Sequence, residues 1–447
     1  MENIYKYYSE ILEQYKNIIF YGNSGSGKTY NTLKTIEYMI GNKNYFKNLE
    51  KENRLKYISF HKMFSYNNFI ERKNENIFEN GIFKEMCINA SLDIIKNSIK
   101  VRFKNNISTN SKVWKIYLGY RRTEERIYNQ AKKDKEIVLG WLENESLEGK
   151  SYNEIYSMLE IKRGNDEPRL SADVRSINSI VNEMKVGDFA LIYQENNKLS
   201  DIGLITSNYF HDYGAPYPHK RKVVWLKEFK NYFDMDNYDK NINELRSCYS
   251  LNSIDFSDLR EIMNLKNSEL KDTKPYFLVI DNIDKGDIFS IFGETIELIS
   301  KNKRDFSITL YQSNKKFSIP ENIYIIGNSE TNIKDLTIKN KFAFIKTDFK
   351  VNKIISIKNM NINLTEIIEQ INNKILELNK TPLSYGFISN INNIDELYNF
   401  WYTQLIPYIE SLDISINEIL GSTFINIQNN NIKMYNKAEF VKVLTSF

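Results

Sequence analysis

Cysteine and histidine are scarce in this chain. Its two cysteines, Cys87 and Cys248, lie far apart with no C-x-x-C spacing. That pattern argues against a zinc site and points to a reducing, cytoplasmic setting. Three histidines (His61, His211 and His219) are too few for a histidine-rich metal centre. No apolar run is long enough to cross a bilayer, so no membrane role is expected. The first residues, Met1 to Lys6, carry an acid and lack the apolar core of a signal peptide. Charge of either sign is not in large excess. The net value of +4 permits a nucleic-acid partner without demonstrating one.

What remains is a globular composition, with 41% hydrophobic and 26% charged residues. A length of 447 residues exceeds one ordinary core and implies several domains. The most informative stretch is Gly22-Asn23-Ser24-Gly25-Ser26-Gly27-Lys28-Thr29, which fits G-x-x-x-x-G-K-[ST], the phosphate-binding P-loop. An apolar strand-like run, Asn17 to Tyr21, precedes it. Apolar residues at 33, 36, 39 and 40 follow with helical spacing. A glycine-rich turn between strand and helix aims backbone N–H groups and the positive helix end at one spot. All eight residues are candidate nucleotide contacts. Lys28 is expected on the β- and γ-phosphates, and Thr29 on Mg²⁺.

The rest of the chain reads as follows. Residues 2–16 form an amphipathic helix, 54–60 a strand, and 81–99 a helix. From 111 to about 230 short apolar runs alternate with polar turns, which suggests a small barrel or curled sheet. Residues 231–271 look like an irregular linker. Pro275 to Asp281 then reads as a Walker B strand, with Asp281 at its C-terminal edge beside the P-loop, in the outer shell of the Mg²⁺. A helix over 288–299, a hairpin over 306–319, and strands at 322–327 and 342–345 follow. The segment from Leu364 onward is mainly helical. The expected architecture is α/β: residues 1–111 and 231–350 form one P-loop core, 112–230 a β-rich insert, and 351–447 a helical lid. An interrupted core is the simplest way to bring two phosphate-site motifs into one sheet.

These residues resemble the McrB family, the AAA+ motor of modification-dependent restriction systems. The resemblance is carried by Gly22 to Thr29; Phe60-His61 with Phe64 to Phe69; Gly81 to Lys84; Asp281 to Lys285; Ile291 to Glu294; and Ile319 to Gly327. The lid adds Asn390 to Leu397 and Leu405-Ile406-Pro407. The insert is similar to an EVE domain, a PUA-like module that reads modified bases. That similarity rests on Trp114-Lys115-Ile116, Leu139-Gly140-Trp141, Val186-Gly187-Asp188 and Tyr217 to Trp225. The resemblance implies GTP or ATP with Mg²⁺, a ring of like or unlike AAA+ subunits, a separate McrC-like nuclease, and modified DNA as the target. PUA-like folds also bind RNA, which leaves an RNA-directed reader as an alternative.

Several family motifs are altered. Where the family has D-E-I-N-R, this chain has Asp281-Asn282-Ile283-Asp284-Lys285, and an amide is no usable base near neutral pH. The M-N-T-A-D-R signature becomes Ser329-Glu330-Thr331-Asn332-Ile333-Lys334. The arginines before R-F become Lys339 and Lys341, which lack the planar guanidinium fork. The lid's G-H-S-Y-F survives as Leu383-Ser384-Tyr385-Gly386-Phe387. Asp281, Asn282, Asp284, Glu330, Lys339 and Lys341 are therefore the residues on which hydrolysis turns. Binding groups are kept, while groups tied to hydrolysis are replaced.

A base reader stacks an extruded base on aromatic rings. Trp114, Trp141, Tyr193, Tyr209 and Tyr213 are the candidates, with core packing as the alternative for each. His219-Lys220-Arg221-Lys222 is the candidate phosphate contact.

Overall fold

The computed structural model describes residues 2–41, 45–75, 77–99, 102–118, 125–163, 167–195, 197–239, 246–265, 273–304, 306–347, 354–357, 360–388, 391–421, 426–428, 431–433 and 435–444. Asn390, Asn196 and part of the expected linker lie outside these.

Five strands form a parallel sheet in the order 343–346, 17–21, 323–329, 276–281, 55–59. The three inner strands, 17–21, 323–329 and 276–281, are near-continuous buried runs because both faces are covered, whereas the edge strand 55–59 alternates buried and open positions. Ile18, Phe20, Phe277, Val279, Tyr324 and Ile326 pack under the helices Glu2–Tyr15 and Lys28–Ile40. Ile19, Leu278, Ile280, Ile323 and Ile325 face the helix Ile82–Ser98 and its neighbours. Parallel pairing puts all five C-terminal ends on one edge. Gly22, Ser59, Asp281, Ser329 and Thr347 therefore share a rim, where open α/β sheets hold their ligands. The helix expected over 288–299 is an α-helical turn, Ile288–Phe292, followed by a 3-10 segment to Ile299; the break falls at Gly293 (φ 53°).

The insert is a curled mixed sheet. Its path runs 248–250, 113–117, 189–195, 198–205, 219–234, 136–139, and the short strand Phe210–His211 also pairs with 219–234. The 113–117 and 189–195 strands are parallel, and the other pairs are antiparallel. Register shifts between Trp225 and Lys227 and between Glu228 and Phe233 bend the 16-residue strand His219–Asp234. One face of the sheet packs on helices 152–163 and 167–178 through Trp114, Ile116, Leu159 and Val174. The other face, with Val113, Phe189, Leu191 and Leu204, shares a core with Leu92 and Ile95 of the helix Ile82–Ser98 and with Ile99 just past its end.

The stretch expected as a linker contributes to both units. Cys248–Ser250 pairs with Val113–Tyr117 as an edge strand of the insert. Phe256–Ile262 is a helix capped by Asp255, whose carboxylate accepts from Ser257 and Asp258 N–H. Its Phe256, Leu259 and Ile262 join the shared core. The C-terminal segment buries Ile371, Ile375, Leu397, Trp401, Leu405, Ile409 and Phe440 among short helices, as its periodicity predicts. Two small antiparallel strand pairs, 354–357 with 360–363 and 426–428 with 431–433, lie within it.

Candidate functional site

The glycine-rich loop joins the strand Asn17–Tyr21 to the helix Lys28–Ile40 at the rim of the parallel sheet. Gly25 sits at φ 73°, and a Cβ there would stand 2.4 Å from Ser384 Oγ, so glycine is required twice over. Asn31 N–H closes the first helical turn onto Gly27 O at 2.8 Å, which leaves the N–H groups of residues 28–30 directed at the loop. Lys28 Nζ donates to Gly22 O (2.7 Å) and Asn23 O (2.9 Å). Burial lowers its pKa, while Glu330, Asp281 and Asp284 oppose that shift. Three acids thus surround the one ammonium in the loop. Ser26 Oγ and Thr347 Oγ1, 2.7 Å apart, pin the loop to the segment after the last strand.

Opposite the loop, Asp281 ends its strand in register with Ser59. Asn282 follows in left-handed backbone (φ 52°), and its Nδ2 donates to Ser59 Oγ at 3.1 Å. Asparagine tolerates that conformation better than most residues. Asp284 Oδ2 accepts from Thr331 N (3.3 Å) and Thr331 Oγ1 (3.1 Å). Glu330 is exposed and accepts from Lys285 Nζ at 2.7 Å. A groove of about 430 Å³ between residues 284–289 and 331–338 opens beside these groups.

Lys28, Thr29, Asp281, Asn282, Asp284 and Glu330 therefore belong to one neighbourhood. Lys341 does not. It is buried, pairs with Glu297 at 3.0 Å, and its carbonyl accepts from Asn17 Nδ2. Asn17 starts the strand whose far end carries the loop, about 13 Å away at 3.3 Å per residue. Lys341 cannot reach phosphate in its own chain. Lys339 ends the short helix Leu336–Lys339 and is exposed.

Three further residues complete the rim. Asn328, buried at the tip of its strand, accepts from Thr32 Oγ1 at 2.9 Å, while its Nδ2 has no partner. Burial and the nearby Asp281 carboxylate raise the Tyr57 pKa, and Thr29 and Asn328 act on the same phenol. Lys285 adds a second cation. The polar tip at Asn328 was visible in an otherwise apolar run; nothing in the sequence marks Tyr57.

Among the described residues no group of three His, Cys, Asp or Glu side chains could hold a metal ion. The Thr29 hydroxyl and the Asp281 carboxylate are hard oxygen donors on one rim. They suit Mg²⁺, which takes one or two protein oxygens and draws the rest from phosphates and water. The residues present fit a cation that arrives with a nucleotide.

The insert separates its candidate aromatics. Trp114 is fully buried, with Nε1 donating to Asp188 Oδ2 at 2.8 Å. Tyr193 is fully buried on the opposite face, with Lys115 Nζ 4.2 Å from its ring centre. Neither presents a face on which a base could stack. Tyr209 and Tyr213 come together around His211 and His219, and Trp141 meets His219 through its backbone carbonyl while its ring lies 6.0 Å from Arg163. Tyr209 stacks on His219 at 5.9 Å, His211 lies 5.3 Å from His219, and Tyr213, 71% exposed, meets His211 at 4.3 Å.

The basic run 219–222 is structural. His219 Nε2 lies 2.8 Å from Trp141 O, a pure acceptor, so that nitrogen carries the proton and Nδ1 accepts from Tyr209 OH at 2.8 Å. Arg221 is buried and donates to Ile180 O, Val181 O and Ser207 O. Lys220 pairs with Glu136 and Asp212, and Lys222 with Glu136. Spent on these partners, the run offers no open positive patch to a phosphate backbone. A cleft of about 490 Å³ opens nearby, lined by Arg126, Gln130, Asp134, Pro216, Tyr217 and Lys220 among others.

No helix among the described residues is long and apolar enough to cross a membrane. Residues 114–252 match a domain family of unknown function, DUF8426. The limits of that match coincide with the curled sheet, including its 248–250 strand. The chain is also similar to the Type IV methyl-directed restriction enzyme EcoKMcrB subunit of Escherichia coli (strain K12), at 34% identity over 82 residues. That similarity covers 16% of this chain and 18% of the relative's length.

Proposed function

We propose that this chain is a nucleotide-binding AAA+ subunit of a McrB-like restriction or anti-phage defence system, with an EVE/PUA-like reader of modified DNA inserted in its core. GTP or ATP with Mg²⁺ is the ligand of residues 22–29. The subunit acts in an oligomeric ring and passes recognition to a separate McrC-like nuclease. The observation that carries the reading is the rim itself. Lys28 and Thr29 stand beside Asp281 at the C-terminal edge of a parallel sheet, with helix N–H groups aimed at the same place. The similarity to the restriction subunit supports the choice of system. In the insert, the cluster of Trp141, Tyr209 and Tyr213 is the place for base reading.

Thr29 and Asp281 would hold Mg²⁺, which would supply positive charge against that of the phosphates. Lys28 would hold the phosphates, while Asn282 would leave the attacking water without a strong base.

A second reading is favoured by Asn282 and Lys341. A subunit with an amide in the base position and that lysine held at the far edge of its sheet would bind nucleotide without turning it over, and would scaffold a mixed ring. Radiolabelled GTP and ATP, with binding and turnover measured separately and with or without modified DNA, test both. Binding with DNA-stimulated turnover supports the first reading, and binding without turnover the second. No binding of either nucleotide rejects both.

A further inference from the structure

Asn282 removes the carboxylate that would activate water, and two acids nearby have the chemistry to replace it. Their settings differ. Asp284 Oδ2 accepts from the Thr331 N–H and hydroxyl at 3.3 and 3.1 Å, and Oδ1 is shut off from solvent with no partner. That side chain is spent on joining two loops. Glu330 accepts from Lys285 Nζ at 2.7 Å through Oε2, and its side chain is 40% exposed. Its Oε1 has no partner among the described residues. The backbone fixes where Glu330 stands. Ser329 pairs with Tyr21, and its carbonyl accepts from the Gly22 N–H at 3.2 Å, at the entry of the glycine-rich loop. Ser329 Oγ donates to Thr331 O at 2.5 Å, which closes a tight turn with Glu330 at its apex. Facing it, Ile283 is fully buried and packs against Gly327, where a Cβ would stand 3.1 Å from the Ile283 side chain. That contact seats the turn Ile283–Lys285, so Lys285 meets Glu330 from a fixed point. The Glu330 charge also opposes the effect of burial on Lys28, the residue expected on the β- and γ-phosphates.

We propose that Glu330 is the base of a displaced hydrolytic site and that Lys285 is its positioning residue. This rests on the nucleotide-binding reading given above. Lys285 holds one carboxylate oxygen, and the other is left to accept the proton of a water at the γ-phosphate. The water oxygen bonds to the γ-phosphorus as the bond from phosphorus to the β–γ bridging oxygen breaks. The proton passes to Glu330, and the electron pair of the broken bond leaves with the nucleoside diphosphate. Both side chains are partly exposed, so the base is less firmly held than one set in the sheet, and turnover is slow rather than absent. An exposed ion pair adds little to stability. Removing Lys285 therefore changes the position of the carboxylate and not the fold.

The test uses the full chain with Mg²⁺ and radiolabelled GTP and ATP. Affinity and single-turnover hydrolysis are measured for the wild type, Glu330→Gln, Lys285→Met and Lys285→Arg, with Lys28→Ala marking contaminating hydrolysis. Glu330→Gln should cut hydrolysis by about 10²-fold or more, the contribution of a general base, without weakening affinity. Lys285→Met should cut it about tenfold at unchanged affinity, the effect of losing one hydrogen bond to a charged group, and Lys285→Arg should restore it. A loss of folding would produce neither the split nor the rescue. Glu330→Ala should show the same loss if the Gln variant proves unstable. Hydrolysis in Glu330→Gln at or above the wild-type rate overturns the role of Glu330, as does a wild type that binds nucleotide without hydrolysing it, and nucleotide binding stands in both cases. Weaker affinity in Lys285→Met, with hydrolysis of the bound nucleotide unchanged, makes Lys285 a phosphate ligand and overturns its positioning role. No binding in the wild type overturns the nucleotide-binding reading as well.

Discussion

Thr32 and Asn328 are joined side chain to side chain by a 2.9 Å hydrogen bond, and both are buried. The bond ties the second turn of the helix Lys28–Ile40 to the tip of the neighbouring strand. It thereby fixes the glycine-rich loop against the rim that carries Asp281. Thr32→Val keeps the shape and removes the donor, leaving Asn328 Oδ1 buried without its partner. The expected cost is ~1–3 kcal/mol of stability. Urea unfolding of the two proteins measures it, and a change under 0.5 kcal/mol, within the range of ordinary surface substitutions, would mean that the bond is dispensable.

A second prediction concerns acid. Burial lowers the His219 pKa to about 4, with His211 adding to the shift and the Trp141 carbonyl opposing it. In the unfolded chain an ordinary histidine titrates near 6.5. Between these values the unfolded state binds the extra proton. Stability from neutral His219 is therefore full above pH 6.5 and lost as pH falls toward 4, by ~3 kcal/mol in all. Thermal unfolding at pH 7, 5.5 and 4.5 should show a steeper decline for the wild type than for His219→Gln. Parallel declines would contradict the assignment.

The insert cannot be removed along the boundary the sequence suggests. Excising 112–228 leaves the strand Cys248–Ser250 without its partner and uncovers Leu92, Ile95 and Ile99. Burying a side chain of that size is worth ~1.5–3 kcal/mol. The expected product is insoluble across several linker lengths. A soluble, monodisperse deletion would show that the shared core is expendable.

The sequence made the parallel sheet legible because its inner strands are apolar on both faces and its edge strand 55–59 alternates, all bounded by polar turns. The glycine-rich loop was legible because its spacing is tied to one backbone shape. Cys248–Ser250 was not, since a three-residue strand in a polar stretch carries no periodicity. The fate of 219–222 was hidden for another reason. Charge in a sequence does not disclose that Arg221 is surrounded by carbonyls or that Lys220 sits between two carboxylates. Trp114 and Tyr193 show the same limit, because an aromatic in a short strand reads alike whether it faces a core or a ligand. Motif order named Lys341 without giving its place, which is beside Asn17, at the end of the sheet away from the loop.

Asn282 gives a sharper test than its letter alone allowed. Its left-handed backbone (φ 52°) means that Asn282→Glu restores a carboxylate at a cost of ~1–2 kcal/mol in stability, whereas Asn282→Asp should be milder. If the amide is why turnover is slow, Asn282→Glu should raise it, up to the ~10²–10⁴-fold of general-base catalysis. Single-turnover assays of the variants against the wild type measure the change. Slower turnover in Asn282→Glu would point to Asp284 or Glu330 as the base.

The central claim is that residues 22–29 bind a nucleoside triphosphate in a subunit with a weakened hydrolytic site. Calorimetric titration of GTP and ATP into the wild type and Lys28→Ala tests it most directly. The account predicts saturable 1:1 binding of at least one nucleotide to the wild type, no detectable heat with Lys28→Ala, and the same thermal unfolding profile for both proteins. Equal binding by a folded Lys28→Ala, or none by the wild type, would contradict it.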